Sequence, residues 1–305
     1  MGRRLLEESA GVVKMKIAVF ENNGSINSRP VFKALIENFR DEGEKFYLNE
    51  DRNCDVAIIW SVLWKGRMSA NKKIWDDFKS QGKPVVVLEV GGLKREHTWK
   101  MAINGINRDA DFANQQYDDK RWPLFDIEMK PWRSQGKYIL LCCQNTESLQ
   151  WQGLPPAAQW AEQKIKEIRK YTQRQIIIRP HPRSYFEFDE DKYPNVKFRC
   201  AAPDPNTYDD TDFKEVLKDA WAVVNHSSNI GMEAVLNGVP VFVSQSSLSC
   251  EVGNDELRDI EKPAMPARQN WANRLSYTEW TTQEIRNGMP WWRIRKRLEE
   301  KYLNK

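Results

Sequence analysis

The sequence predicts an α/β protein built from two Rossmann-like halves that face a central cleft. Three observations carry this reading. Apolar runs recur as KIAVF (16–20), DVAIIW (55–60), PVVVLE (84–89), YILLCC (138–143), QIIIR (175–179) and WAVVN (221–225). Stretches of helical periodicity lie between them, and that alternation indicates parallel sheets covered on both faces. The alternation stops near residue 91 and resumes at 138, so the chain reads as two arrays. Its 305 residues are enough for two domains that each bury a core.

In the first array, Lys16–Phe20 runs into a polar loop, Glu21–Ser25, and then a helix from about Arg29 to Glu42. Phe46–Leu48 is a short strand. Asp55–Trp60 is a strand followed by a helix near Ser69–Gln81, and a Gly82-Lys83-Pro84 turn leads into the strand Pro84–Glu89. Gly91–Trp132, rich in Asn, Asp, Trp and Arg, reads as long loops and short helices at a domain junction.

In the second array, Tyr138–Cys143 is a strand, and Pro155-Pro156 opens a helix to about Thr172, proline being favoured in a first turn. Strands Gln175–Arg179 and Val196–Cys200 and a helix Asp212–Asp219 follow. Trp221–Asn225, the loop His226-Ser227-Ser228, a helix Asn229–Asn237 and Val239–Val243 form one strand–loop–helix–strand unit. A loop, Ser244–Asn254, then leads to a run of helices. Thr281 and Glu284 fit a capping box. The basic last helix, Pro290–Tyr302, is expected to dock its tryptophans across the two domains; a nucleic-acid face is the other reading of Trp291–Arg297. The expected division is 1–130, 131–280, and a crossing helix at 281–305.

Composition narrows the function. The net charge of +4 permits a polyanionic partner without demanding one. The five cysteines have no metal-ligand spacing, and reduced thiols suit a cytoplasm. No apolar run approaches a membrane span of roughly 18–20 residues. The basic-then-acidic MGRRLLEESAGVV does not read as a signal peptide; it reads as a frayed leader or an initial helix. Thirteen tryptophans leave some available as stacking walls for a sugar or a base. The chain has neither a P-loop nor a dinucleotide fingerprint. Asp109-Ala110-Asp111, Asp189-Glu190-Asp191 and Asp210-Thr211-Asp212 match D-x-D but follow no clear strand end, so no metal or other cofactor is expected to be required.

Three stretches carry candidate chemistry, each at the carboxyl end of a strand, where open α/β sheets hold ligands. His226, Ser227, Ser228 and Asn229 gather hydroxyls and free amides at a helix start, a setting that favours a phosphate. Ser227 and Ser228 would also serve as plain N-caps. Glu233, one turn in, is placed to accept from ribose hydroxyls. Arg179-Pro180-His181-Pro182-Arg183 stiffens a strand exit; His181 with Arg179 and Arg183 can meet a phosphate and support its departure. Glu89-Val90-Gly91-Gly92 ends the strand Pro84–Glu89, where Glu89 can deprotonate an acceptor hydroxyl and Lys94 and Arg95 can contact the acceptor.

Together, an acidic-x-Gly motif, a His-Pro motif and a Ser-Ser loop resemble those of bacterial sialyltransferases and capsule Kdo-transferases, which are GT-B glycosyltransferases using CMP-sugars. SSNIGMEAVLNGVPV also looks like part of the Kdo-transferases and, more distantly, of CDP-glycerol glycerophosphotransferases. The motifs fall between Pro84 and Val243, and Val90 stands where those families carry a second acid. The resemblance implies Glu89 as general base, with His181, Ser227 and Ser228 on the donor phosphate. The expected activity is transfer from a CMP- or UDP-sugar to a hydroxyl. One acceptor is a hydroxymethylated base in DNA of the bacteriophage kind, flipped out with the help of exposed Trp and Arg in Gly91–Trp132; the other is a cell-surface glycan. Glycerol-phosphate transfer and a non-catalytic nucleotide- or nucleic-acid-binding module are the rival readings.

Overall fold

A computed structural model describes residues 15–200 and 212–303. The segment MGRRLLEESAGVV, and Asp210 and Thr211 of the third D-x-D match, lie outside the described residues.

The first sheet holds β1 (Lys16–Val19), β2 (Lys45–Leu48), β3 (Val56–Trp60), β4 (Val85–Val90) and β5 (Trp99–Ile103). The helices α1 (Arg29–Asp41) and α2 (Ser69–Ser80) connect its parallel strands. The second sheet holds β6 (Tyr138–Cys142), β7 (Gln175–Arg179), β8 (Val196–Phe198), β9 (Ala220–Asn225) and β10 (Val241–Phe242). Its helices are α3 (Ala157–Ile168), α4 (Phe213–Lys218) and α5 (Ile230–Leu236). The chain closes with α6 (Gln269–Leu275), β11 (Glu279–Trp280), α7 (Thr282–Arg286) and α8 (Met289–Leu298). The strand orders are β11-β5-β4-β3-β1-β2 and β10-β9-β6-β7-β8.

Strand alternation explains the layers. Ile17, Val19, Ile58 and Leu88 point to a core with α1 and α8, while Ala18, Ile59 and Val87 point to the α2 side. Leu140 and Val223 face α5 and α6, while Ile139, Leu141 and Val224 face α3. Both sheets are therefore buried on both faces, which is why their strands read as continuous apolar runs.

Two expectations change. Gly91–Trp132 is not all loop, because it contains the fully buried strand β5, which runs antiparallel to β4. Strand β11 then pairs with β5, so the first sheet takes its last strand from the far end of the chain. The last helix packs on the first half, and its tryptophans do not span both: Trp291 packs on Phe39 at 4.7 Å, and Trp292 is exposed. The capping box is present, with Glu284 N–H donating to Thr281 Oγ1 and Thr281 N–H to Glu284 Oε2.

Candidate active site

A cavity of about 710 Å³ opens between the carboxyl ends of the two sets of parallel strands. Ser25–Asn27 reach it after β1, Ser61 after β3 and Glu89 from β4. From the second sheet come Gln144 and Asn145 after β6, His181 and Arg183 after β7, and Ser227–Asn229 after β9. Lys100 belongs to the same edge because antiparallel β5 begins where its neighbours end.

The halves are joined beside this space. Trp64 N–H donates to Glu147 O at 3.0 Å and Leu149 N–H to Val62 O at 2.9 Å. Lys65 Nζ pairs with Glu147 Oε1 at 2.8 Å. Gly92 touches α5 so closely that a Cβ there would stand 2.8 Å from Asn229 Cγ. The acidic-Gly turn and the serine loop are thus in direct contact.

Glu89 is half-buried, and its Oε1 accepts from its neighbour's N–H, that of Val90, at 2.8 Å. The following turn is held from β11: the fully buried Glu279 accepts from Gly92 N–H at 2.7 Å, Leu93 N–H at 3.0 Å and Thr98 Oγ1–H at 2.8 Å. Gly91 is required there, since a Cβ would stand 2.4 Å from both Glu279 Oε2 and Thr98 O.

His181 is half-buried, and desolvation, with Arg183 and Arg95 nearby, lowers its pKa to about 4. The ring is neutral at pH 7. Its Nδ1 accepts from Arg183 N–H at 3.1 Å, so Nε2 carries the proton and is the donor available to a ligand. Strand β6 lies between β7 and β9, so His181 and the serine loop follow strands that are not neighbours. Gln144, which follows that intervening strand, links to the loop: Ser227 N–H and Oγ–H donate to Gln144 Oε1 at 3.2 and 3.3 Å.

Neither serine caps α5. Asn229 occupies the N-cap position without a side-chain cap bond. Ser228 Oγ accepts from Asn225 Nδ2 at 3.0 Å, which leaves its proton available to a ligand. Asn229 Oδ1 accepts from Lys100 Nζ at 2.7 Å.

Four of the residues singled out from sequence do not line this cavity. Arg179 is 2% exposed, ion-paired with Asp212 and stacked over Phe213. His226 packs edge-on against Trp151 at 5.9 Å, where burial lowers its pKa. Glu233 and Lys94 also lie away from the lining, whereas Arg95 is part of it. The tryptophans proposed for base flipping are not exposed: Trp99 and Trp122 are buried, and Trp132 is half-buried under Arg268. In the D-x-D matches, Asp111 pairs with Arg297 and Lys301, and Asp189 with Lys192. Among the described residues, no three His, Cys, Asp or Glu side chains are grouped to hold a metal.

Sequence reasoning missed Lys100, Gln144 and Ser61. Lys100 is 1% exposed; burial pushes its ammonium below the ordinary lysine range, while Glu279 and Glu89 push it back up. Its signal was a lysine inside an unrecognised strand. Ser61 is buried with φ of +64°, a strained backbone for a residue with a side chain, and nothing in the sequence marks it.

No family model matches this chain, and no protein of curated function matches it in sequence. Solved structures do match in shape. The Thermosulfurimonas dismutans KpsC β-Kdo 2,7-transferase aligns with 90% of this chain and 98% of its own, at 12% identity and a TM-score of 0.51. The KpsC β-Kdo 2,4-transferase from the same organism aligns with 91% and 98%, at 11% identity and a TM-score of 0.49. At such identities the likeness is one of fold: the chain has the GT-B arrangement of two Rossmann-like α/β sheets facing a cleft.

Proposed function

We propose that the chain is a glycosyltransferase that moves a sugar from a nucleotide-sugar to an acceptor hydroxyl. One observation carries this reading: Glu89 from the first sheet and His181, Ser227 and Ser228 from the second line a single cavity between the sheets. A carboxylate faces donors of the kind that hold phosphate, with room for a sugar between them. Glu89 takes the acceptor's proton as the acceptor oxygen bonds to the anomeric carbon. The bond from that carbon to the phosphate breaks, and its electron pair goes to the phosphate oxygen. His181 Nε2–H and the serine hydroxyls receive that oxygen as its charge develops. Catalysis then rests on positioning and on preorganised donors, with no cofactor required.

For the acceptor we propose a hydroxymethylated base in DNA. Arg67, Arg95 and Arg183 line the cavity beside Glu89, a set that favours a phosphate-bearing acceptor. The test is a transfer assay with CMP- and UDP-sugars, using hydroxymethylated duplex DNA and surface glycans as acceptors, read by mass spectrometry. A sugar increment on DNA supports both parts. An increment on glycan alone keeps glycosyl transfer and removes the DNA acceptor. A phosphate-containing increment favours glycerol-phosphate transfer instead.

A further inference from the structure

Lys100 is an unusual residue to bury. It sits inside β5, 1% exposed, with Glu89 opposite it on β4 and Glu279 opposite it on β11. Directly opposed residues of antiparallel strands share a face. The three side chains therefore form a row across the sheet: carboxylate, ammonium, carboxylate. A buried ammonium is costly without opposite charge nearby, and the carboxylates on the two flanking strands supply that charge. Yet the ammonium also extends beyond its own sheet. Lys100 Nζ lies 2.7 Å from Asn229 Oδ1, on the opposite half and next to Ser227 and Ser228. A neutral amide oxygen is a weaker partner than an anion, because charge-assisted hydrogen bonds are roughly twice as strong.

We propose that Lys100 is the cation that the first half supplies to the donor's phosphate, taking a phosphate oxygen in place of Asn229 Oδ1. This rests on the glycosyl-transfer reading and adds a residue to it. Ser227, Ser228 and His181 meet the phosphate from the second half with neutral donors; Lys100 adds a buried positive charge from the other side. When the bond to the anomeric carbon breaks, the electron pair left on the phosphate oxygen faces that charge. Glu279 stands opposite Lys100 in the strand register and accepts from Gly92 N–H and Thr98 Oγ1–H in the turn after Glu89, so one buried carboxylate lies beside both this cation and the turn that follows the base.

The test is equilibrium binding of CMP, UDP, cytidine and uridine to the wild type and to Lys100→Arg, Lys100→Gln and Lys100→Met. Lys100→Gln keeps a donor for Asn229 without the charge, and melting curves verify that each variant is folded. The expected result is that Lys100→Gln and Lys100→Met weaken the bound nucleotide by about ten-fold or more, with the nucleoside within about two-fold and Lys100→Arg close to wild type. Equal nucleotide affinity in wild type and Lys100→Gln overturns the proposal and leaves the glycosyl-transfer reading standing. Parallel loss of nucleotide and nucleoside affinity also overturns it, because that is the mark of a structural role. A wild type that binds neither CMP nor UDP removes the glycosyl-transfer reading, and this proposal with it.

Discussion

Gly92 and Met232 face each other across the two halves so closely that a Cβ on Gly92 would stand 2.5 Å from Met232 Cε. Asn229 crowds the same point. A side chain at position 92 would have to push the Met232 and Asn229 side chains aside where the two halves approach. Gly92→Ala is expected to cost about 1–3 kcal/mol through overpacking and to widen the cavity. Thermal unfolding checks the first effect. A raised KM for the donor in the folded variant checks the second.

Glu279 is the buried anchor of the turn that carries Glu89. Removing it in Glu279→Ala strands the N–H groups of Gly92 and Leu93 and takes away a negative charge opposite Lys100 in the strand register. The expected loss is about 1–3 kcal/mol for each buried donor left without its acceptor. Chemical denaturation measures it.

Arg179 separates the structural from the sequence-based expectation. Its guanidinium is paired with Asp212 and lies outside the cavity lining. Arg179→Met is expected to lower stability by about 2–3 kcal/mol, toward the low end because Asp212 is 35% exposed. The KM for the donor should stay unchanged in the folded variant. Steady-state kinetics beside a melting curve distinguishes the two effects.

His181 gives a pH dependence with a definite sign. Its folded-state pKa of about 4 lies below the ordinary value of 6.5, so between these pH values the unfolded chain binds the proton more readily. The contribution of His181 to stability is complete above pH 6.5, falls as pH drops toward 4 and levels off below that. The loss is about 3 kcal/mol. His181→Gln should flatten this part of the stability–pH curve, measured by denaturation from pH 4 to 8.

The sequence made the parallel strands legible, because burial on both faces leaves a continuous apolar run. It also located the three strand-end motifs, since loops at those ends are polar and irregular. Strand β5 escaped because Lys100 interrupts Trp99–Ile103 and makes it look half-polar, although its neighbours are carboxylates from two other strands. Arg179 was read as a ligand contact because it flanks His181. Arg179 is the last residue of β7 and turns its guanidinium onto Phe213 and Asp212, whereas His181 lies in the loop beyond the strand end. The order β9-β6-β7 could not be read from chain order, so Gln144 between the two motifs went unseen.

The central claim is that Glu89 acts as the base toward a nucleotide-sugar bound between the sheets. The most direct measurement is sugar transfer by Glu89→Gln beside calorimetric binding of the same nucleotide-sugar. Turnover is expected to fall by about 10²–10⁴-fold, the usual worth of a general base, with donor affinity within a few-fold of wild type. Wild-type turnover in a folded Glu89→Gln variant would contradict it.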